Sequence, residues 1–304
     1  MPEIKLLHEV PPEIENAAKS GELVVFVGAG VSRLIGCPSW DGFADKVLEQ
    51  LIPKGIDHYE LSQINNIKDA RKRLSIAKIV AQKKEIIINY ESIFTEDVKN
   101  EIGSIYSYLN SFNSSFVTTN YEKYLSPDTR KSSPEDTWRF YRREHLLRSS
   151  LDENGNVIHL HGCLDEPETM VITTKDYLEH YASSEVQDFL RHLFARKTIL
   201  FLGWLEEIEV LEYIHSKGVA PTKKGDEPFR RYILQGFFES EKPLFDMLYD
   251  YYKESFSTLL MGFSRNQKDY SQVIDIIASW AEKLKFGKMP LTDEVLALEE
   301  EING

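Results

Sequence analysis

Two polar side chains that could do chemistry follow apolar runs of the chain. Asn120 ends the run in FVTTNYEKYL, and His161 ends the run in VIHLHGCLDEP. An imidazole with a pKa of ~6.5 accepts a proton at cellular pH, and a carboxamide orients a water or hydroxyl without titrating. Taken singly, Asn favours turns and His is often a satisfied polar residue. Both follow apolar runs in a chain that also carries a glycine loop, and the ends of strands are where an open parallel sheet places its chemistry, so both are candidate site residues.

A glycine loop is the third candidate, in the stretch ELVVFVGAGVSRLIGCPSW from Glu22 to Trp40. Gly28 and Gly30 lack side chains, so the backbone there can approach a pyrophosphate where a helix begins. Arg33 stands where a dinucleotide fingerprint has its third glycine, and the acidic residue that holds a ribose is missing. On this stretch alone, a phosphate loop and a tight structural turn are equally supported. The segment VSRLIGCPSW is interpreted as a flap over a ligand.

These candidates follow or interrupt short apolar runs that predict β-strands. Such runs cover residues 23–28, 115–119, 157–162, 169–174, 198–203, 231–236 and 258–263. Most lack polar alternation, as strands covered on both faces do. Helical patterns separate them, among them PSWDGFADKVLEQLI with Ser39 or Asp41 as its N-cap. This alternation predicts an α/β fold with a doubly wound, mostly parallel, Rossmann-like sheet, whose ligands bind at the carboxyl ends of the strands.

One interval, residues 53–113 approximately, has helical patterns and no convincing strand. We predict a small helical lobe there, inserted into a single domain that covers residues 1–304. The Rossmann-like core then comprises about 20–52 and 114–285. The acidic end of the chain, TDEVLALEEEING, predicts a C-terminal helix at about 290–303.

Composition restricts the partners. The net charge of -13 over 304 residues argues against direct nucleic-acid binding. The longest apolar runs are too short to cross a bilayer, and no leader pattern opens the chain, so we expect a cytoplasmic protein without membrane contact. Two cysteines, Cys37 and Cys163, are too few for a zinc ribbon; we expect small buried residues rather than a redox pair.

The motifs taken in order resemble the sirtuin (silent information regulator) superfamily. The resemblance rests on GAGVSRLIGCPSW, TTNYE, LHG and, less specifically, ILFLGW, which follow the family's order over roughly residues 20–285. Each motif is weakly specific, whereas the ordered set is fairly specific. The chain is similar above all to bacterial sirtuin-like domains of antiphage defence, which hydrolyse NAD.

The resemblance implies that NAD is the substrate and that no metal is needed. It makes Asn120 and His161 catalytic, with Asn120 beside the nicotinamide ribose and His161 as general base. The NAD-binding positions that it implies are Gly28, Ala29, Gly30, Ser32, Trp40, Thr119, Gly203, Trp204, Gly262 and Ser264. Two segments depart from the family pattern: residues 38–40 lack the Pro-x-Phe-Arg of deacylating sirtuins, and Trp204 follows Gly203 where many relatives have a Gly-x-Ser-type element.

The expected reaction is cleavage of the bond between nicotinamide and ribose, which makes the protein an NAD+ glycohydrolase. Nicotinamide leaves as a stabilised group, so the reaction chiefly needs geometry, exclusion of bulk water and one base. One alternative is an NAD-dependent protein deacylase, although such relatives typically add a zinc ribbon. Another is a non-catalytic module that senses NAD or ADP-ribose, and a nicotinamide dehydrogenase is third.

The resemblance also implies control of the activity, because an unrestrained NAD hydrolase would kill its host. We therefore expect the gated effector of an antiphage system. Its control would come from homo-oligomerisation or from a partner protein such as a defence-associated ATPase.

Overall fold

The computed structural model describes residues 2–127, 138–203 and 228–285. Its helices are α1 (Pro12–Ser20), α2 (Ala29–Arg33), α3 (Trp40–Leu51), α4 (His58–Asn65), α5 (Ala70–Lys83), α6 (Tyr90–Thr95), α7 (Ile105–Leu109), α8 (Ser149–Asp152), α9 (Thr174–Ala182), α10 (Ser184–Arg196), α11 (Lys242–Phe256) and α12 (Gln272–Leu284). Its strands are β1 (Leu23–Val27), β2 (Ser115–Thr118), β3 (Arg139–Phe140), β4 (Val157–His159), β5 (Thr198–Leu202), β6 (Arg231–Phe237) and β7 (Leu259–Ser264). The predicted C-terminal helix at about 290–303 and the predicted contact at Trp204 lie outside these described residues.

The described strands form one seven-stranded sheet in the order β3-β4-β2-β1-β5-β6-β7. Every neighbouring pair is parallel. The predicted α/β, Rossmann-like sheet is therefore confirmed. Because β1 is central and all strands run one way, their carboxyl ends share one edge, where such sheets bind ligands.

The sheet is buried because its strands are apolar on both faces. In β1, Leu23, Val25 and Val27 belong to one core cluster, while Val24 and Phe26 belong to the other. Fully burying one such side chain contributes about 1.5–3 kcal/mol to folding. The continuous apolar run at 23–27 thus follows from helices on both faces of the strand.

One predicted strand is wrong, and one observed strand was not predicted. Residues 169–174 contain no strand: a short 3-10 helix ends at Thr169 and α9 begins at Thr174. Met170, Val171 and Ile172 are buried in a loop, where the Val171 N–H donates to the carbonyl of His161 at 2.9 Å. Burial without strand pairing explains their apolar character. The unpredicted strand β3 has only two residues, too few for a recognisable pattern.

The elements between residues 53 and 113 are helices, as the pattern predicts, and the lobe that they would form stays a prediction. Helix α3 begins at Trp40, where the predicted N-cap Ser39 accepts from the Gly42 N–H at 3.1 Å. Helix α5 packs against α3, and buried Arg73 of α5 pairs with Asp41 and Asp45 of α3. Helix α7 instead packs against α12. Within the described residues, no helix has the length and apolar character needed to cross a membrane.

Candidate active site

The glycine loop joins β1 to α2 at the carboxyl edge of the sheet. The Gly28 N–H donates to Leu202 at 2.8 Å and the Gly30 N–H donates to Gly203 at 3.0 Å. A Cβ on Gly30 would lie 2.8 Å from the Cα of Gly203, closer than atoms pack. The glycines therefore let α2 contact the end of β5 backbone to backbone, with both amides used inside the protein.

A cavity opens beside this loop, between β1, β2 and the start of α3. Its lining residues are Ala29, Ser32, Cys37, Pro38, Ser39, Trp40, Phe43, Phe94, Thr119, Asn120, Tyr121 and Glu122. Aromatic rings supply the apolar part of the wall; Trp40 and Tyr121 meet edge to face with centroids 6.2 Å apart. Ser32, Asn120 and Glu122 supply the polar part. An apolar pocket with a few convergent polar groups is the usual form of a small-molecule site.

Asn120 is held in one orientation. Its Nδ2 donates to the carbonyl of Gly28 at 3.1 Å and to Ser32 Oγ at 2.7 Å. These bonds use both amide hydrogens and leave Oδ1 as the acceptor that the side chain can offer. Its backbone N–H donates to Thr118 Oγ1 at 3.0 Å, and that hydroxyl donates to the carbonyl of Val27 at 2.7 Å. The amide is thereby fixed to the ends of β1 and β2.

A buried carboxyl group, Glu122, extends this network. Ser32 Oγ donates to Glu122 Oε1, and the Tyr106 hydroxyl donates to the same oxygen at 2.8 Å. Burial raises the pKa of Glu122, although Ser32 and Tyr106 both act to lower it. Sequence reasoning missed two of the partners of Ser32, Glu122 and Tyr106. Glu122 stands two residues after Asn120 inside a quoted motif, whereas nothing local to Tyr106 pointed to this site.

A second histidine of the HLHG motif supports the backbone of Asn120. His159 Nδ1 donates to the Asn120 carbonyl at 2.9 Å, and its Nε2 lies 2.8 Å from a guanidinium nitrogen of Arg139. Burial, reinforced by the Arg139 charge, lowers the pKa of His159 to about 3. His159 is therefore a neutral imidazole that ties the end of β2 to the short strand β3.

His161 lies against helix α9 and not in the wall of the cavity. It is completely buried, and its ring packs against Tyr177, His180 and Tyr181 of α9 at centroid distances of 5.0, 5.6 and 5.8 Å. Burial, followed by the effects of His180 and Arg71, lowers the pKa of His161 well below its ordinary value. His161 is not among the described residues that line the cavity.

Some of the other predicted NAD contacts line the cavity, whereas two lie on an edge strand of the sheet. Trp40, Thr119, Ala29 and Ser32 line the cavity. Gly262 and Ser264 lie on β7, with β5 and β6 between that strand and β1. The Gly262 carbonyl accepts from the Lys5 N–H at 3.0 Å and from His8 at 2.6 Å. The structure does not bring these two residues to the cavity, and their adenine-side role stays a prediction.

Both cysteines are buried free thiols. Burial raises the pKa of Cys37, which lines the cavity, to about 12, and it raises the pKa of Cys163 as well. A protonated thiol is a poor nucleophile. Among residues 2–127, 138–203 and 228–285, no group of three or more His, Cys, Asp or Glu side chains is placed to hold a metal ion.

A parallel Rossmann-like sheet with a glycine loop and polar strand ends is an architecture that nucleotide-binding proteins share. Residues 114–216 match the family model of the SIR2-like domain. The match confirms the resemblance to sirtuins for this segment, and a SIR2-like domain implies NAD binding. The matched segment includes Asn120, His161 and Gly203. No curated protein matches the chain.

Proposed function

We propose that the protein is an NAD+ glycohydrolase that releases nicotinamide and ADP-ribose. The observation that carries the proposal is the fixed carboxamide of Asn120 in a pocket with aromatic walls, within a SIR2-like domain. The flat nicotinamide ring suits the aromatic wall, and its carboxamide group suits the polar side. The aromatic wall would also limit the access of bulk water to the reacting carbon.

In the proposed reaction the glycosidic C–N bond breaks and its electron pair leaves with nicotinamide. A water oxygen bonds to the ribose carbon, and the proton of that water passes to His161. Asn120 positions this water or a ribose hydroxyl through Oδ1, since both Nδ2 hydrogens are already used. The product is ADP-ribose, and His161 returns its proton to solvent.

The neutral state of the His161 ring suits a general base, but the burial of the ring keeps substrate from reaching it in this structure. Its lowered pKa keeps the imidazole neutral at cellular pH, so it can accept a proton, while the same burial makes it a weaker base than an exposed histidine. Because the ring is completely buried, substrate reaches it only after a neighbouring side chain moves. Apo geometry of this kind does not exclude a base that becomes aligned in the substrate complex.

The direct test incubates purified protein with NAD and measures nicotinamide and ADP-ribose, with and without an acetylated peptide. We expect hydrolysis without peptide, and a loss of about 10²–10⁴-fold in Asn120→Ala and His161→Ala. Variants as active as wild type would contradict the assigned roles. Peptide-dependent formation of acetylated ADP-ribose would replace the hydrolase with a deacylase. Tight NAD binding without turnover under activating conditions would favour a sensing module.

We further propose that this activity is the gated effector of an antiphage system in the cytoplasm. Control would lie in homo-oligomerisation or in a partner protein such as a defence-associated ATPase, without direct nucleic-acid or membrane contact. The net charge of -13 supports the exclusion of nucleic acid. Cellular NAD measured after phage infection, with wild type beside Asn120→Ala, tests this role: NAD that falls equally with both would contradict it.

A further inference from the structure

Within the described part of the chain, one nitrogen of the His161 ring contacts Tyr181 and the other has no hydrogen-bond partner. The Tyr181 hydroxyl lies 2.7 Å from His161 Nε2. His161 Nδ1 is buried and has no hydrogen-bond partner among the residues that the structure describes. The two nitrogens of His161 therefore differ in environment, although neither is exposed to solvent.

The position of Tyr181 is set by helix α9. Thr173 caps this helix in a capping box with Asp176, and Lys78 of α5 pairs with Asp176 at 3.3 Å. The Tyr181 ring meets the rings of His161 and His180 edge to face, and it packs on Tyr177 with centroids 5.6 Å apart. A hydroxyl held by these contacts is preorganised and costs little entropy when it binds the imidazole.

The contact with Tyr181 selects one tautomer of the neutral ring. A neutral imidazole carries one N–H, and the hydrogen bond made by one nitrogen decides the state of the other. A proton on Nδ1 would be a buried N–H without an acceptor in the described structure, and such donors are rarer in proteins than acceptors without a donor. The proton therefore belongs on Nε2, where it donates to the Tyr181 oxygen, and Nδ1 keeps its lone pair.

We propose that Tyr181 is a positioning residue that holds His161 in the Nε2–H tautomer, so that Nδ1 is the atom that takes the proton. This inference rests on the proposed function, which makes His161 the base. In the hydrolysis step, the attacking water gives its proton to Nδ1 as its oxygen bonds to ribose. The resulting imidazolium keeps its Nε2–H bond to Tyr181, which fixes the ring through the transfer.

This arrangement is compatible with the burial of His161. The two nitrogens lie on different edges of the imidazole ring, and the Tyr181 hydroxyl contacts only Nε2. A group that approaches Nδ1 therefore need not break the contact between Nε2 and Tyr181. The charged and titratable groups that face the ring are His180, Arg71, Tyr177 and Tyr181.

The tautomer can be measured without any activity. In protein with ¹⁵N-labelled histidine, NMR should show the Nε2–H form for His161, identified by the signals that His161→Gln removes. Tyr181→Phe keeps the ring but removes the hydroxyl, and should give a mixture of tautomers. Tyr177→Phe, which removes a hydroxyl from the same aromatic cluster, should leave the Nε2–H form. A wild-type Nδ1–H form, or an unchanged spectrum in Tyr181→Phe, would overturn the proposal.

Kinetics separates this proposal from the proposed function. With one hydrogen bond lost, Tyr181→Phe should lower kcat for NAD hydrolysis about tenfold and leave KM within about twofold. The acid limb of its pH profile should also move, since the free nitrogen is no longer fixed. If His161→Ala were inactive but Tyr181→Phe matched wild type, only the positioning role would be lost. If His161→Ala were fully active, the base assignment itself would fall.

Discussion

At the scale of single residues, Ser32 is the centre of the polar wall. Its hydroxyl accepts from Asn120 at 2.7 Å, donates to Glu122 and lies 3.1 Å from the Tyr106 hydroxyl. All of these groups are buried. Ser32 therefore orients the Asn120 amide and donates to one oxygen of a buried carboxyl group, and its contact with NAD stays a prediction.

Removal of this hydroxyl should affect the reaction more than the fold. Ser32→Ala leaves Asn120 without one acceptor and Glu122 without one donor, so we expect nicotinamide release to fall at least tenfold. The free energy of unfolding, measured by urea, should fall by about 1–3 kcal/mol. Ser150→Ala removes another largely buried hydroxyl, bonded to Leu147 at 2.6 Å, and is the matched control. Equal kinetic losses in the two variants would contradict the orienting role.

The sequence located part of this network and could not locate the rest. Asn120 comes from one motif and Ser32 and Trp40 from another, and the structure brings all three around one cavity. Tyr106 of α7 belongs to the hydrogen-bond network through Ser32 and Glu122, but nothing in the local sequence of α7 indicated more than packing. Hydrogen bonds between residues as distant in sequence as Ser32 and Tyr106 depend on the three-dimensional path of the chain, which local patterns do not encode.

At the scale of elements, the contact between α2 and the end of β5 decides the shape of the glycine loop. Gly203 has a φ of +72°, and a Cβ there would lie 2.6 Å from the Val31 nitrogen. Gly30 faces the same contact from α2. Neither residue can carry a side chain without separating α2 from the end of β5. The glycine loop therefore forms a tight structural turn, one of the two interpretations that the sequence supported equally.

A pair of identical substitutions tests this contact. Gly30→Ala places a methyl group 2.8 Å from Gly203 backbone, so we expect the melting temperature and NAD binding to fall together. Gly42→Ala, within α3, places its methyl group 3.4 Å from Pro38 Cβ, and helix propensity favours Ala there by up to ~1 kcal/mol. A tolerated Gly30→Ala would show that α2 does not need this close approach.

Apolar runs predicted most of the strands, but not every buried apolar run is a strand. Six of the apolar runs coincide with strands, because strands buried on both faces need continuous apolar residues. The run at 169–174 fits that pattern equally well, yet it is buried by packing against the loops that follow β2 and β4. The Tyr121 hydroxyl donates to the Val171 carbonyl at 2.8 Å in that packing. Composition alone does not separate these two kinds of burial.

At the scale of the whole molecule, three buried histidines couple folding to pH. Burial lowers the pKa of His159 and of His180 to about 3, and it lowers that of His161 well below its ordinary value. A nearby arginine lowers the pKa of each ring further through its positive charge. The pairs are Arg139 with His159, Arg143 with His180 and Arg71 with His161. The folded protein therefore keeps these rings neutral at pH values where the unfolded chain protonates them.

Stability should accordingly decrease in acid. The pKa values of these histidines in the folded protein lie below the value of ~6.5 in the unfolded chain. Their contribution to the free energy of unfolding is therefore complete above about pH 6.5. It should fall by up to about 1.4 kcal/mol per pH unit for each histidine as the pH drops from 6.5 towards 3. Urea unfolding at pH 7.5 and 5.0 measures the slope. His180→Gln should reduce the slope, whereas His58→Gln, at an exposed position, should not. Equal slopes in both variants would contradict the role of the buried rings.

The most direct measurement is a crystal structure with a non-hydrolysable NAD analogue such as carba-NAD. We predict that the nicotinamide-side sugar lies in the cavity beside Asn120 Oδ1. His161 Nδ1 should face the same sugar within hydrogen-bonding distance, about 3 Å or one bridging water. A sugar bound away from Asn120, or a His161 ring still covered by α9 and turned from the ligand, would contradict the proposed hydrolase.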